Sequence, residues 1–144
     1  MTEEASNKPT TVFWVISGVA LLWNIMGVLS YMGTVTITDA AVAELPAAEQ
    51  ALYETPFLIT SLFAIAVFTG LLGCVALLLR KKWAKPVFMV SLGAATIQMI
   101  YWLFMTDSVA VYGVTSVIMP IAVIAVAIYL VMFAGSSTAK GWLS

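Results

Sequence analysis

Two carboxamides, Asn24 and Gln98, are the residues of this chain with the most usable chemistry, because each lies inside a long apolar run. An amide in hydrocarbon is costly unless it forms hydrogen bonds, so it either joins helices or contacts a bound molecule. Trp23 precedes the first amide, and Tyr101 and Trp102 follow the second. Amides beside aromatic rings suit an uncharged polar solute, such as a sugar, through hydrogen bonds and ring stacking.

The position of a residue along its apolar run predicts its depth in the membrane, and several residues share the depth of the two amides. Helical rise places Asn24 and Gln98 at similar depth if both runs cross the membrane from the same side. Ser61 and Pro120 of the other two runs fall near that level, and Pro120 should kink its helix. The sequence predicts a polar layer in the outer half of the bilayer, opening outward. The candidate substrate-binding residues are Trp23, Asn24, Ser61, Gln98, Tyr101 and Trp102. The alternative is that the two amides only hold the bundle together.

Composition argues against catalysis and metal binding. The chain has no histidine and one cysteine, Cys74, which we interpret as a small packing residue. No apolar run contains an ionisable acid or base, and no nucleophile–base pair or metal-ligand set can be recognised. We therefore predict no enzyme, no catalytic or metal-binding residue and no cofactor. The net charge of −1 gives no reason to expect a nucleic-acid partner.

Four uncharged apolar runs must position these residues. About 20 helical residues cross a ~30 Å hydrocarbon layer, and each run is long enough to do so. The predicted fold is an all-α integral membrane protein, a four-transmembrane-helix bundle that forms a single membrane domain over 1–144. Glu3 and Glu4 precede the first run, which is unlike a secretory signal, so we expect that run to remain as a span. The predicted spans are about 11–32, 56–79, 86–105 and 111–133.

Basic residues predict the orientation of the bundle. Four of the six lie in the connector between the second and third runs, and the others are Lys8 and Lys140. Short loops rich in Lys and Arg remain in the cytoplasm, so both termini should be cytoplasmic in a multi-pass protein of the plasma (inner) membrane. The topology-determining residues are Arg80, Lys81, Lys82 and Lys85.

The first external loop carries an amphipathic pattern. Over 39–54, Leu45, Ala48 and Leu52 follow a helical spacing among glutamates. This pattern predicts a short helical segment that lies on the outer membrane surface or caps the bundle. Two interpretations stay open, a linker that shields helix ends and a functional lid.

Small residues predict where the helices approach each other. Ala66, Gly70 and Gly73 recur at spacings of four and three along the second run. Such a face lets two backbones come close and gain van der Waals contact in lipid. We predict these as helix-packing residues.

Several stretches together resemble a known family. They are Phe13-Trp14, Trp23 to Gly27, Leu45 to Glu49, the run FAIAVFTGLLGCVALLLRKKWAKP from Phe63 to Pro86, and the segment Lys140 to Ser144. The chain resembles a family of small four-helix bacterial inner-membrane proteins of unestablished function that often carry an automatic "sugar transporter" label. The resemblance covers nearly the whole chain and implies a bacterial plasma membrane. It implies no catalytic residues.

Two functions follow from these features. The first is a transporter-like or solute-binding protein that takes a small polar solute, sugars included. Four spans are few for alternating access, so a homodimer is expected, and the absence of ionisable residues in the spans disfavours proton coupling. The alternative is an accessory or structural subunit that associates with another membrane protein or complex and has no transport of its own. In both cases the lipid bilayer is a partner.

Overall fold

The computed structural model describes residues 8–54 and 56–144, and this part of the chain is helical without strands. Two short 3-10 helices, Ala51–Tyr53 and Val114–Val117, join the α-helices. The α-helices are α1 (Thr11–Thr36), α2 (Asp39–Ala43), α3 (Ala47–Gln50), α4 (Phe57–Leu78), α5 (Ala84–Phe104), α6 (Ser108–Tyr112) and α7 (Ile118–Ala139).

Four helices are long and apolar enough to cross a membrane. They are α1, α4, α5 and the continuous stretch Val114–Ala139, which includes α7. The described residues confirm the prediction of an all-helical fold with four helices that are long and apolar enough to span a membrane. Helices α4 and α5 begin and end within two residues of their predicted bounds. The predicted segment 39–54 contains α2, α3 and a 3-10 turn.

The fourth span differs most from its prediction. Gly113 has φ +88°, a backbone conformation that favours glycine, and it separates α6 from the 3-10 turn that leads into α7. The predicted start at 111 is therefore wrong, and the helix continues past 133 to Ala139. The first span also continues beyond its predicted end, to Thr36. In this last part of the helix, the Thr34 hydroxyl donates a hydrogen bond to the Ser30 carbonyl.

Pro120 lies near the start of the fourth span, and the kink predicted there stays a prediction. Pro120 is the third residue of α7. The first turn of a helix has no intrahelical partner for its N–H groups, so a proline there removes no hydrogen bond. Its actual position is at the acidic end of the bundle, beside the connector that carries Asp107.

The long helices pack in the order α1, α4, α5, α7. Ala66, Gly70 and Gly73 are all buried on α4, which lies between α1 and α5. A Cβ at Gly73 would lie 2.6 Å from the Phe88 ring, and one at Gly70 would lie 2.1 Å from Asn24 Oδ1. A side chain at either glycine would therefore collide with a neighbouring helix, and the wider role of Ala66, Gly70 and Gly73 in helix packing stays a prediction.

Among the described residues, basic and acidic side chains lie at opposite ends of the bundle. The connector 80–85, Lys8 and Lys140 lie at the end where α1 begins and α7 ends, here called the basic end. Asp39, Glu44, Glu49, Glu54 and Asp107 lie in the connectors at the opposite, acidic end. Most of the buried core is at the basic end, where Phe13, Leu77 and Phe88 are almost fully enclosed.

Two helix ends are joined at the basic end. Arg80 has φ +57° and Gly141 φ +78°, and each closes its helix with a pair of backward backbone hydrogen bonds. The two turns then bond to each other, from Ser144 N to Arg80 O at 3.0 Å and from Lys82 N to Ser144 O at 3.2 Å. Arg80 Nε also donates to Trp142 O at 2.9 Å. Arg80 thus has a structural role in addition to its predicted effect on topology.

Candidate functional site

A cavity of about 750 Å³ lies between the four spans in the acidic half of the bundle. All four long helices and both acidic-end connectors contribute to its wall. Pockets that hold drug-sized molecules in proteins span about 300–1,000 Å³. The side chains that line it include Trp23, Asn24, Met26, Leu52, Tyr53, Phe88, Ser91, Gln98, Tyr101, Trp102, Tyr112, Met119, Ala127 and Leu130.

Five of the six predicted binding residues line this one cavity. Trp23 and Asn24 contribute from α1, and Gln98, Tyr101 and Trp102 contribute from α5. Their role in binding stays a prediction. Ser61 is not among the lining residues, and its neighbour Thr60 lines the cavity from α4 instead. One residue turns a helix by about 100°, so depth alone could not distinguish these two hydroxyls.

The Asn24 amide is engaged within the protein. Its Nδ2 donates to the Ala20 carbonyl at 2.8 Å and to Cys74 Sγ at 3.3 Å. Ser91, which lines the cavity close by, donates from Oγ to the Ala66 carbonyl at 2.7 Å. The bond to Ala20 lies within α1, the bond to Cys74 joins α1 to α4, and the Ser91 bond joins α5 to α4. Bonds between helices are what the alternative interpretation of Asn24 expects.

Gln98 differs from Asn24 in having no such bonds. Its side chain lines the cavity, is only partly buried and makes no hydrogen bond to another described residue. An amide offers two donors and an acceptor. The donors and the acceptor of Gln98 are therefore all available to a ligand, whereas Asn24 keeps only its Oδ1 acceptor, and Gln98 lies nearer the acidic end than Asn24.

The acidic-end connectors cover one side of the cavity. Leu52 is only 7% exposed and lines the cavity together with Tyr53. Tyr112 stacks on Trp102, with ring centroids 6.5 Å apart. Burial, and then the nearby Glu49 and Tyr53, raise the pKa of Tyr112 above its usual value of 10.0. The helices α3 and α6 contact each other beside the cavity.

A seam between α1 and α7 leaves the cavity open on another side. The other neighbouring spans pack against each other along their lengths, whereas α1 and α7 do not. Met26 on α1 and Met119 on α7 line the cavity and are nonetheless 65% and 61% exposed. Because both methionines belong to membrane-spanning stretches, this opening faces the region that lipid would occupy.

At the basic end, aromatic rings fill the space between α1 and α7. Phe13 is fully buried, with its centroid 5.6 Å from that of Phe133 and 5.7 Å from that of Trp142. No local pattern predicts this cluster, because its rings come from opposite ends of the chain. Beside it, Ser17 Oγ, Ser137 Oγ and Trp142 Nε1 are buried without a hydrogen-bond partner in the described residues.

The described residues include no group of three or more His, Cys, Asp and Glu side chains that could hold a metal ion. Together, the four spans and their central cavity define a multi-pass membrane protein of the helical-bundle class. Comparison of the chain with protein-family profiles, with curated proteins and with solved structures found no match.

Proposed function

We propose that this protein is a transporter-like, solute-binding membrane protein that holds a small uncharged molecule in the cavity between its spans. Its orientation would be that predicted from the basic residues, with the acidic end outside the cell and both termini in the cytoplasm of a bacterium. We also propose that the protein forms a homodimer and that it is related to the small bacterial inner-membrane proteins that it resembles.

The observation that carries the proposal is the uncharged wall of the cavity. None of the described residues that line it is ionised at neutral pH, and the wall is mainly apolar. Burying an ion there would be costly, because nothing would compensate for its lost hydration. An uncharged molecule loses far less hydration and can still use the free Gln98 amide. Sugars stay within this class, as do less polar neutral molecules.

Filling the cavity tests the proposal. Ala127 lines the cavity from α7, whereas Ala125, two residues earlier, is exposed on the outer face of the same helix. Ala127→Phe should remove space that a ligand needs and reduce binding or uptake at least tenfold, a loss of about 1.4 kcal/mol or more. The measurement is uptake of a panel of radiolabelled neutral solutes into proteoliposomes, alongside equilibrium binding in detergent.

Ala125→Phe is the matched control, because it adds the same ring toward lipid and should leave uptake and binding unchanged. Circular dichroism must show that both variants keep the helical content of the parent. Equal uptake by both variants, or no binding of any neutral solute by the parent, would contradict the proposal.

The alternative is an accessory subunit, and the cation-rich basic end gives it a specific basis. Arg80, Lys81, Lys82 and Lys85 surround a tight turn that could contact an anionic partner or lipid at the inner surface. Under this alternative Ala127→Phe would have no effect, whereas neutralising Lys81 and Lys82 would release a copurifying partner.

Cysteine labelling tests the proposed orientation. In a Cys74→Ala background, Glu49→Cys should react in intact cells with a thiol reagent that cannot cross the membrane, because 39–54 is predicted to be external. Lys82→Cys should react only after the cells are permeabilised. The reverse pattern would mean that the basic end faces outward.

A further inference from the structure

We infer that the bound molecule is an uncharged amphiphile that is dissolved in the membrane and reaches the cavity sideways, through the seam between α1 and α7. This inference rests on the proposed function, because it names the class of solute for the same cavity. Three observations carry it: the distribution of polar atoms in the wall, the absence of charge, and the position of the opening.

Polar atoms that remain free are concentrated toward the acidic end. The inner part of the cavity ends against Phe88 and Leu130, which are both nearly fully buried. Asn24 and Ser91 lie at that level too; their donor groups are engaged with the protein, and the Asn24 Oδ1 acceptor is left there. Gln98 and Tyr101 lie further along α5, toward the acidic end. The wall therefore fits a molecule with an apolar body directed inward and a polar group directed outward.

The polar group should carry no net charge. Gln98 can both donate and accept a hydrogen bond, which suits a hydroxyl, an ester or an amide. No Lys or Arg lines the described wall to pair with a carboxylate or phosphate, and no Asp or Glu lines it to pair with an amine. In addition, Trp102 stacks on Tyr112 at the acidic end of the cavity. Aromatic rings that carry a polar atom are favoured at the membrane interface.

The seam between α1 and α7 is the path by which a molecule would enter the cavity. Leu52, which is buried, and the neighbouring Tyr53 cover the cavity from the acidic end, and the Phe13 cluster closes the basic end. Between these two closures, Met26 and Met119 are exposed and line the cavity. Methionine is unbranched and flexible, so it can move aside for passing molecules of varied shape. A molecule already in the bilayer would not need to displace the loops.

Photolabelling in vesicles tests the inference. The probe is a monoacylglycerol with a diazirine in its acyl chain, and the charged comparison is the matching diazirine fatty acid. Both are placed in phosphatidylcholine vesicles that contain the protein. We expect the monoacylglycerol to label cavity-lining peptides of α5 and α7, and unlabelled monoolein, but not glycerol, to compete. Ala127→Phe should lower this labelling about tenfold relative to Ala125→Phe, and Gln98→Leu should weaken competition by monoolein about fivefold, the cost of one hydrogen bond.

A cross-link tests the path. Met26→Cys and Met119→Cys, in a Cys74→Ser background, can be joined by a bifunctional thiol reagent that contains a reducible bond. Joining the two helices should slow cavity labelling severalfold, and reduction should restore it in the same sample. Labelling that is unaffected by the cross-link would overturn lateral access.

The outcomes separate this inference from the function on which it rests. If water-soluble sugars enter proteoliposomes in an Ala127→Phe-sensitive manner while monoacylglycerol does not label the cavity, the inference is wrong and the proposed function stands. If neither kind of molecule binds, both are wrong. Equal cavity labelling by the fatty acid would overturn the assignment to uncharged amphiphiles.

Discussion

Gly73→Ala should lower the free energy of unfolding by about 1–3 kcal/mol, although alanine is the better helix former. A Cβ at Gly73 would lie 2.6 to 2.9 Å from three carbons of the Phe88 ring. Phe88 is only 1% exposed, so its ring has no free space into which to turn. The added methyl group must therefore separate α4 from α5, and the loss of packing along that contact outweighs the gain in helix propensity.

Gly93→Ala is the matched control for this prediction. Gly93 lies on α5, and a Cβ there would meet nothing within 4 Å. Alanine at this position should be neutral or stabilise the helix by up to about 1 kcal/mol. The measurement is unfolding in mixed micelles with increasing SDS, followed by circular dichroism. Equal effects at the two glycines would mean that α4 and α5 do not pack as closely as described.

Hydropathy was sufficient to predict the spans, because a continuous apolar helix is the simplest way to satisfy backbone groups in lipid. It failed at residues 111–113, which are uncharged but precede the helical stretch Val114–Ala139. There the local conformation depends on Gly113, whose positive φ directs α6 toward Trp102 and the acidic segment. A hydropathy pattern contains no information about such a turn, so the predicted span began too early.

The candidate site was predictable in composition but not in its bonding. The depth argument expected Asn24 and Gln98 at one level, but Asn24 lies beside Ser91, about two helical turns nearer the basic end than Gln98. Both amides nonetheless line the cavity. Depth does not specify how a helix is rotated about its axis, which decides that Asn24 meets Cys74 whereas Gln98 keeps its hydrogen-bonding capacity. The same uncertainty explains why Ser61 was selected in place of Thr60.

The contacts at the basic end could not be anticipated from local patterns. Arg80 and Trp142 are 62 residues apart in sequence, and the hydrogen bond between them depends on two helix-ending turns that meet. A positive φ at arginine has no sequence signal, since glycine is the usual residue there. The charge of Arg80 indicated topology, and only the folded chain reveals that it also holds the segment 142–144.

The bundle is therefore divided into a packed basic half and a hollow acidic half. Phe13 is the central side chain of the aromatic cluster that closes the basic end between α1 and α7. Phe13→Ala should lower the free energy of unfolding by about 3 kcal/mol, the lower end of the usual range for phenylalanine, because hydrocarbon surrounds the spans in the unfolded state too. What is lost is packing against Phe133 and Trp142, whose rings lie 5.6 and 5.7 Å away between centroids.

Val12→Ala is the control for Phe13→Ala, because Val12 is 63% exposed on the same helix and its truncation should change stability by no more than about 0.5 kcal/mol. Unfolding with SDS measures both variants. Tryptophan emission provides a second readout, since removing the Phe13 ring should alter the surroundings of Trp142 and shift its spectrum, whereas Val12→Ala should not. A Phe13→Ala protein with unchanged stability and emission would mean that the rings do not close the basic end, and the cavity would then be expected to extend through the bundle.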